Sequence, residues 1–446
     1  MKINDPNFPF SPRNCPVFYG WVIMAASTFG LLASIPGQTM GVGVFSEYLI
    51  SKTGLNRIQL SFAYMMGTIL SSLILPFAGK LLDRIGARMM ILATGMGLGA
   101  ALIFFAQTVN LINTWSPVFS EFLPQSFLAL MVMTLAFLLL RQFGQGIMAM
   151  VSRNVLAKWF DSKRGLVTGI SGIFVSFGFS AAPLVINILI NSFGFLDTIL
   201  LLSAICGFGM ALLGWFFFRD HPEECGLFMD GSTKAKASEH ATTPERDSTL
   251  SDAVRSYNFW IFCLGMCSSS LIVTGFTFHI DSIAQTSGLS RTEAYSIFLP
   301  MSLVSVVSYF LSGWASDRMS LKYLLMTLLI TLCIGCLGML AFETQLSRII
   351  VIICFGVQGG VWGCLSLVTW PRFYGRKHLG AISGLFMSCQ VFASAIGPPI
   401  FGASEYFTGN YHNAAWVMAM LNMVLLIGAF RARSFYRSDR NIVTGS

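Results

Sequence analysis

The sequence predicts an all-α membrane protein: twelve transmembrane helices in two parallel six-helix repeats, both termini cytoplasmic. Three observations predict it. Hydrophobic residues make up 54% of the 446-residue chain and charged residues 11%, where a soluble domain carries about 25% charged residues. Apolar runs of membrane-spanning length recur along the whole chain. Short motifs then repeat between its two halves at fixed offsets.

A spanning helix needs roughly 20 apolar residues. Twelve runs qualify, numbered here as spans 1 to 12: 17–45, 58–79, 88–108, 127–150, 164–191, 196–218, 258–280, 294–315, 321–342, 349–370, 379–404 and 413–430. A hydrophilic stretch, 219–257, divides them six and six. The expected organisation is therefore an N-terminal bundle (1–218), a cytoplasmic linker (219–257), a C-terminal bundle (258–432) and a cytoplasmic tail (433–446). That arrangement leaves no room for a soluble catalytic domain, and an enzyme is not expected. The first 16 residues are polar and Pro-rich, and the run after them is too long for a signal-peptide core. It reads as a mature helix.

Orientation follows from the basic residues. With the N-terminus inside, the even-numbered loops and both tails hold 23 of the 28 Lys and Arg. The other side holds Lys52, Arg57, Arg291 and Arg348, and Arg141 lies within a span. This bias is the positive-inside signal. The net charge of +8 therefore reports topology and not nucleic-acid binding. Cys333 and Cys336 form a C-x-x-C inside an apolar span with no acidic or His neighbour. They read as small packing residues, and neither a metal nor a cofactor is expected.

The repeat is written in backbone-special residues. Gly79, Asp83, Arg84 and Arg88 between spans 2 and 3 recur as Gly313, Asp317, Arg318 and Lys322 between spans 8 and 9. Gln145-Gly146 in span 4 recurs as Gln358-Gly359 in span 10. Gly165, Gly169, Pro183 and Gly194 recur as Gly380, Gly384, Pro398 and Gly409, all at offset 215. Parallel repeats place a binding site near the midplane between the halves. Small-xxx-small pairs such as Gly95/Gly99 and Gly356/Gly360 predict close helix packing. Span 1 is interrupted by Ile35-Pro36-Gly37-Gln38, a break tolerated where the backbone lines a cavity or packs on protein.

Gly79-x-Leu-x-Asp83-Arg84-x-Gly86-x-Arg88, degraded at 313–322, resembles the signature loop of the major facilitator superfamily. Arg141-x-x-Gly-Gln145-Gly146 resembles its span-4 motif. Finer pieces are similar to the monocarboxylate-porter and oxalate–formate-antiporter branch. They are Phe18-Tyr19-Gly20-Trp21-Val22, Gly41-Val-Gly-Val-Phe45, Trp159-Phe160-Asp-Ser-Lys163-Arg164-Gly165, Arg219-Asp-His-Pro222 through Asp230-Gly231, and Phe278-His279 through Ala284. The resemblance implies the major facilitator fold, with spans 1, 4, 7 and 10 around a cavity. It also implies alternating-access transport of small organic anions, coupled to protons or to a counter-anion. One departure stands out. Branch members handling carboxylates often carry basic residues within spans 8 and 11, and here those spans carry none.

Arg141 is the sharpest individual signal. It lies 14 residues from the start of span 4 and 12 from Arg153, near the midplane at 1.5 Å per residue. A mid-membrane Arg costs roughly 2.5–3.5 kcal/mol on insertion scales, so it must face the interior and find acceptors. No Asp or Glu sits mid-span. Arg141 then either pairs with a substrate carboxylate or braces span 4 against carbonyls and Gln side chains. Gln145, Gln38, Gln358, Trp362 and Gln390 are further candidates for substrate contact, or else interhelical hydrogen-bonding groups. His279, with Asp281 beside it, is a candidate proton site because imidazole titrates near neutrality; an interfacial structural role is the alternative. Asp83, Arg84, Arg88, Asp317 and Arg318, with Arg164 and Arg376 as partners, form the expected cytoplasmic gate, unless those charges serve topology alone.

The expected function is secondary transport of a monocarboxylate-like anion in the cell membrane, driven by proton symport or anion exchange. An exporter of apolar or amphipathic compounds is the alternative on the same fold. A non-transporting sensor or scaffold is the alternative of another class.

Overall fold

A computed structural model describes residues 7–119, 124–231, 248–289, 293 and 296–432. Every described regular element is a helix. Lipid cannot satisfy backbone N–H and C=O groups, so a spanning segment must pair them internally. Eleven helices are long and apolar enough to cross a membrane. One of them, Gln59–Val118, has 60 residues. At 1.5 Å per residue that is about three times a ~30 Å hydrocarbon core. Helical geometry is lost inside it at Gly86 (φ 80°, ψ 165°), the glycine of the loop motif. The stretch therefore contains the runs expected as spans 2 and 3.

Span 1 is two helices, α1 (Gly20–Ala33) and α2 (Thr39–Thr53), joined by a 3-10 turn at Ile35–Gly37 and an extended Gln38. This is the expected Pro/Gly break. Helix α3 (Arg57–Phe119) holds spans 2 and 3. Span 4 begins as α4 (Gln125–Leu140), widens to a π-helix over Arg141–Met148, and returns to α geometry in α5 (Ala149–Trp159). Span 6 also carries a π-helical segment, Ser203–Gly209.

The repeat survives as geometry. Helix α6 (Arg164–Phe193) and the helix of span 11 (Leu379–Thr408) each have 30 residues. Their first residues and their last residues are both 215 apart. Each contains a proline at the shared offset, Pro183 and Pro398. Each ends at a glycine of positive φ, Gly194 (83°) and Gly409 (70°), where a side chain would be strained. Span 8 is Phe298–Arg318, and the expected positions 294 and 295 lie outside the described residues. Arg291, the middle of the linker (232–247) and the tail (433–446) lie outside them too.

The described chain forms two compact units. One comprises Met1–Trp159, Ala181–Leu227 and Ser383–Ser388; the other comprises Phe160–Ser180, Phe228–Ile382 and Cys389–Ser446. Each draws on both halves of the sequence. In the first, a Cβ added to Gly384 would lie 3.0 Å from Gly79 Cα, and Asn154 donates to Ser383 Oγ at 2.7 Å. In the second, a Cβ on Gly169 would lie 3.3 Å from the Phe310 ring. The small-xxx-small pairs do pack helices: Gly95 meets Ala211 between spans 3 and 6, and Gly356 meets Val304 between spans 10 and 8. Large side chains point outward, with Leu184 64% and Val424 66% exposed. That is the inverted surface a lipid solvent permits.

Candidate substrate site

In the first unit the break in span 1 seats on the π-helical part of span 4. A Cβ on Gly37 would lie 2.8 Å from Gly144 Cα, and a Cβ on Gly144 2.8 Å from Gly37 Cα. Only glycines allow this approach. It brings the Gly37 carbonyl over Arg141, whose side chain is 1% exposed. Arg141 Nη1 donates to Gly37 O at 3.3 Å and to Thr39 Oγ1 at 3.4 Å. Its guanidinium carbon lies 5.1 Å from the centre of the Tyr64 ring, within cation–π range. Thr39 Oγ1 and Tyr64 Oη are hydrogen-bonded at 2.8 Å. Arg141 Nε and Nη2 have no hydrogen-bond partner among the described residues. Those two N–H groups form the side edge of the guanidinium, the edge that takes a carboxylate bidentately.

The other predicted residues divide by how well they are satisfied. Gln145 is buried and its Oε1 has no hydrogen-bond partner among the described residues. Gln38 bonds within span 1, donating to Ser34 Oγ at 3.0 Å. In the second unit, Gln358 Oε1 accepts from Ser269 at 2.6 Å, and Trp362 Nε1 donates to Met266 O at 3.1 Å. Gln390 is buried, and its Oε1 has no hydrogen-bond partner among the described residues. His279 lies 2.9 Å from Pro398 O through Nε2 and 3.3 Å from Tyr411 Oη through Nδ1. A carbonyl can only accept, so Nε2 carries the proton in this arrangement. The His279 ring also stacks on Phe401, centroids 6.5 Å apart. The side chain of Asp281 lies outside the described residues.

The loop-motif residues fall in both units. Asp83, Arg84 and Arg88 line a polar cavity of about 240 Å³ with Lys158, Arg219, Asp220, His221 and Glu224. Arg88 also binds two carbonyls: Nε donates to Trp215 O at 2.8 Å and Nη2 to Phe8 O at 2.7 Å. Arg219 joins it on Phe8 O at 3.0 Å. Asp220 accepts from the Ala87 amide beside Gly86. Burial pushes the Glu224 carboxyl above its ordinary range; Asp220 adds to this, Lys158 opposes it and Glu223 adds to it. In the second unit Asp317 accepts from Arg372 Nη2 at 2.7 Å. Arg372 was not among the predicted residues. Arg318 is exposed over the Trp314 ring at 4.5 Å, Arg164 lies 3.7 Å from Asp161, and Arg376 sits half-buried between spans 10 and 11.

Sequence reasoning also missed Thr39, Tyr64 and Asp230. Asp230 holds a left-handed φ of 59°. Its carboxylate accepts from the Ser162 amide at 2.8 Å and the Lys163 amide at 3.1 Å, capping the start of span 5. The Asp230-Gly231 turn was its signal, a pair that tolerates positive φ. Thr39 and Tyr64 gave none: they are ordinary residues of apolar runs, and the break in span 1 brings Thr39 to Arg141 while the packing of span 2 on span 4, Gly67 against Leu138, brings Tyr64. Among the described residues no group of three metal-ligating side chains occurs.

A family model described as the Major Facilitator Superfamily matches residues 22–398. Among curated relatives, an uncharacterized 38 kDa protein in the 23S RNA operon of Thermoproteus tenax is 24% identical over 396 residues, 88% of each chain. Among solved structures, the proton:xylose symporter XylE bound to 6-bromo-6-deoxy-D-glucose aligns with a TM-score of 0.67 at 15% identity, covering 94% of this chain and 97% of that one. FucP in the outward conformation aligns at 0.66 and 14% identity, covering 94% and 100%. At such identities the structures speak for the fold, and the family match covers most of the sequence. With its all-helical, multi-pass architecture, the chain belongs to the Major Facilitator Superfamily and is a membrane transporter, not an enzyme.

Proposed function

We propose that this transporter carries a small organic anion of the monocarboxylate kind, coupled to a proton or to a counter-anion. One observation carries the reading: a fully buried arginine in span 4 keeps its Nε–Nη2 edge without a protein partner among the described residues. A buried cation left half-satisfied is costly. A carboxylate on that edge would supply the missing acceptor and charge. Gln145, with its unpartnered Oε1, would take a hydroxyl or a protonated group of the same substrate. Spans 8 and 11 carry no Lys or Arg between residues 298 and 318 or 379 and 408 except Arg318 at the very end. That favours one carboxylate over two.

The orientation proposed from the basic residues places both termini and the Gly86 loop in the cytoplasm. Two six-helix bundles, 1–218 and 258–432, would then rock about the site. Asp83 and Asp317 would serve the inner gate, with Arg372 as the partner of the second. His279 would carry the coupling proton at the other end, linked to spans 11 and 12 by Pro398 and Tyr411.

The test is uptake of labelled lactate and pyruvate into proteoliposomes, with and without an inward proton gradient. Wild type should respond to the gradient and Arg141→Ala should not. Uptake of equal rate in the two proteins would sink the anion site. A second reading is favoured by the bonds of Nη1 to Gly37 and Thr39. There Arg141 only braces the break in span 1, and the protein exports apolar or amphipathic compounds. It predicts no lactate or pyruvate uptake by the wild type, together with dye efflux that survives Arg141→Lys.

A further inference from the structure

We propose that Thr39 and Tyr64 are positioning residues of the anion site, fixing which edge of the Arg141 guanidinium meets the substrate. The proposal rests on the anion reading of Arg141. Five N–H groups in a rigid plane leave few ways to hold a guanidinium. Here the hold is one-sided. Nη1 is engaged by Gly37 O and Thr39 Oγ1, at 3.3 and 3.4 Å. One face lies against the Tyr64 ring, 5.1 Å from its centre. Thr39 and Tyr64 are themselves tied at 2.8 Å, hydroxyl to hydroxyl. Gly37 lies in the span-1 break, Thr39 starts the helix after it, and Tyr64 belongs to span 2, so two spans act on one planar group.

The consequence is selective. With Nη1 engaged and one face covered, rotation of the plane is restricted. Nε and Nη2, the pair without partners among the described residues, stay on one edge. A hydroxyl at 39 does two jobs that no apolar side chain does: it accepts from Nη1 and it bonds the Tyr64 hydroxyl. The Tyr64 ring contributes through its face, which phenylalanine retains, and through its hydroxyl, which phenylalanine lacks. These interactions exist before the substrate arrives. Losing them weakens binding of the ground state and the transition state alike, so KM rises and the maximal rate holds.

The experiment is the concentration dependence of labelled pyruvate uptake by proteoliposomes of wild type, Arg141→Ala, Thr39→Val, Thr39→Ser, Tyr64→Phe and Tyr64→Leu. Folded protein in each is quantified by gel filtration before reconstitution. Thr39→Val should raise KM about tenfold with the maximal rate within about twofold. Thr39→Ser should restore it. Tyr64→Leu should match or exceed Thr39→Val, and Tyr64→Phe should fall between Tyr64→Leu and wild type. A structural role alone would lower the folded yield or the maximal rate and leave KM in place. Unchanged KM in both Thr39→Val and Tyr64→Leu, with Arg141→Ala inactive, overturns the positioning role and leaves the anion site standing. Uptake indifferent to Arg141→Ala, or none in wild type, overturns both together.

Discussion

Spans 4 and 10 hold corresponding places in the two repeats, Gln145-Gly146 in one matching Gln358-Gly359 in the other. At those places they treat polar groups differently. Span 10 is an uninterrupted α-helix, Gln345–Tyr374, and Gln358 Oε1 accepts from Ser269 Oγ at 2.6 Å. Span 4 opens into a π-helix at Arg141, and buried atoms of Arg141, Gln142 and Gln145 have no hydrogen-bond partner among the described residues. The residue matching Arg141 at that offset is Cys354, 8% exposed. At these matching positions the unmet polar demand lies in the first repeat; in span 10 it falls further along the helix, at Thr369 Oγ1 among the described residues. A π-turn there fits the general association of such turns with functional sites. The difference teaches that duplication preserved the frame and that one copy specialised.

The harshest way to break the comparison is to make the second copy like the first. Cys354→Arg puts a charge into a buried position beside small residues and without the span-1 break that supplies Gly37 O to Arg141. A buried unpaired charge costs several kcal/mol. The expected outcome is loss of the monodisperse peak on gel filtration in mild detergent. A stable, fully active variant would show that span 10 can host a cation and that the asymmetry is incidental. The next largest effect is expected from Arg141→Lys. Lysine keeps the charge and loses the planar fork, so pyruvate uptake at low substrate should drop at least about tenfold, on the usual value of a bidentate charge-assisted pair. Wild-type uptake in the lysine variant would reduce Arg141 to a point charge.

Much of the frame was readable because its signals are local and repeated. The positive φ at Gly194 and Gly409 and the mid-helix Pro183 and Pro398 are set by residue type, and a shared offset exposed them as copies. The span-1 break was legible for the same reason, since proline and glycine act on their own backbone. The site was legible only in part. Arg141 announced itself by the cost of a charge in an apolar run. Its companions Thr39 and Tyr64 carry no such cost and matter only through tertiary approaches, Gly37 against Gly144 for the first and Gly67 against Leu138 for the second. Arg88 shows another limit. A motif singled it out, but nothing in the motif foretold the two carbonyls, Trp215 O and Phe8 O, that its guanidinium binds. Arg372, a residue with no motif of its own, pairs with Asp317 and was not foreseen.

A gentler prediction sharpens the comparison from the side of span 10. If Gln358 is a satisfied structural group, its loss should cost roughly one hydrogen bond, about 1 kcal/mol, and strand the buried Ser269 hydroxyl. Gln358→Ala should lower thermal stability by a few degrees, and Ser269→Ala alone should do the same. The double variant should recover part of the loss, because removing both partners leaves nothing unpaired. Additive losses would mean that the two side chains act independently. A large rise in KM for pyruvate in Gln358→Ala would instead make span 10 part of the substrate site.

The smallest expected effect lies in the loops, where the two repeats differ again. Asp317 is answered by Arg372 at 2.7 Å. On the first-repeat side, Glu224 shares a polar cavity with Asp83 and Asp220, and its carboxyl is held above the ordinary 4.5 by burial first and by Asp220 next, with Lys158 opposing and Glu223 adding. A carboxyl whose folded pKa exceeds its unfolded one favours folding while protonated. That contribution is complete below the unfolded value and is lost as pH rises through the folded one. Above the folded value the group is charged and the preference is gone. Glu224→Gln removes the charge at every pH. Its melting temperature should therefore exceed wild type by about 1 °C at pH 7.5, and the gap should close towards pH 4, where the wild-type carboxyl is already protonated. A variant less stable than wild type at pH 7.5 would mean that the ionised carboxylate pairs productively with Lys158, and that the first repeat answers its loop acid much as the second does.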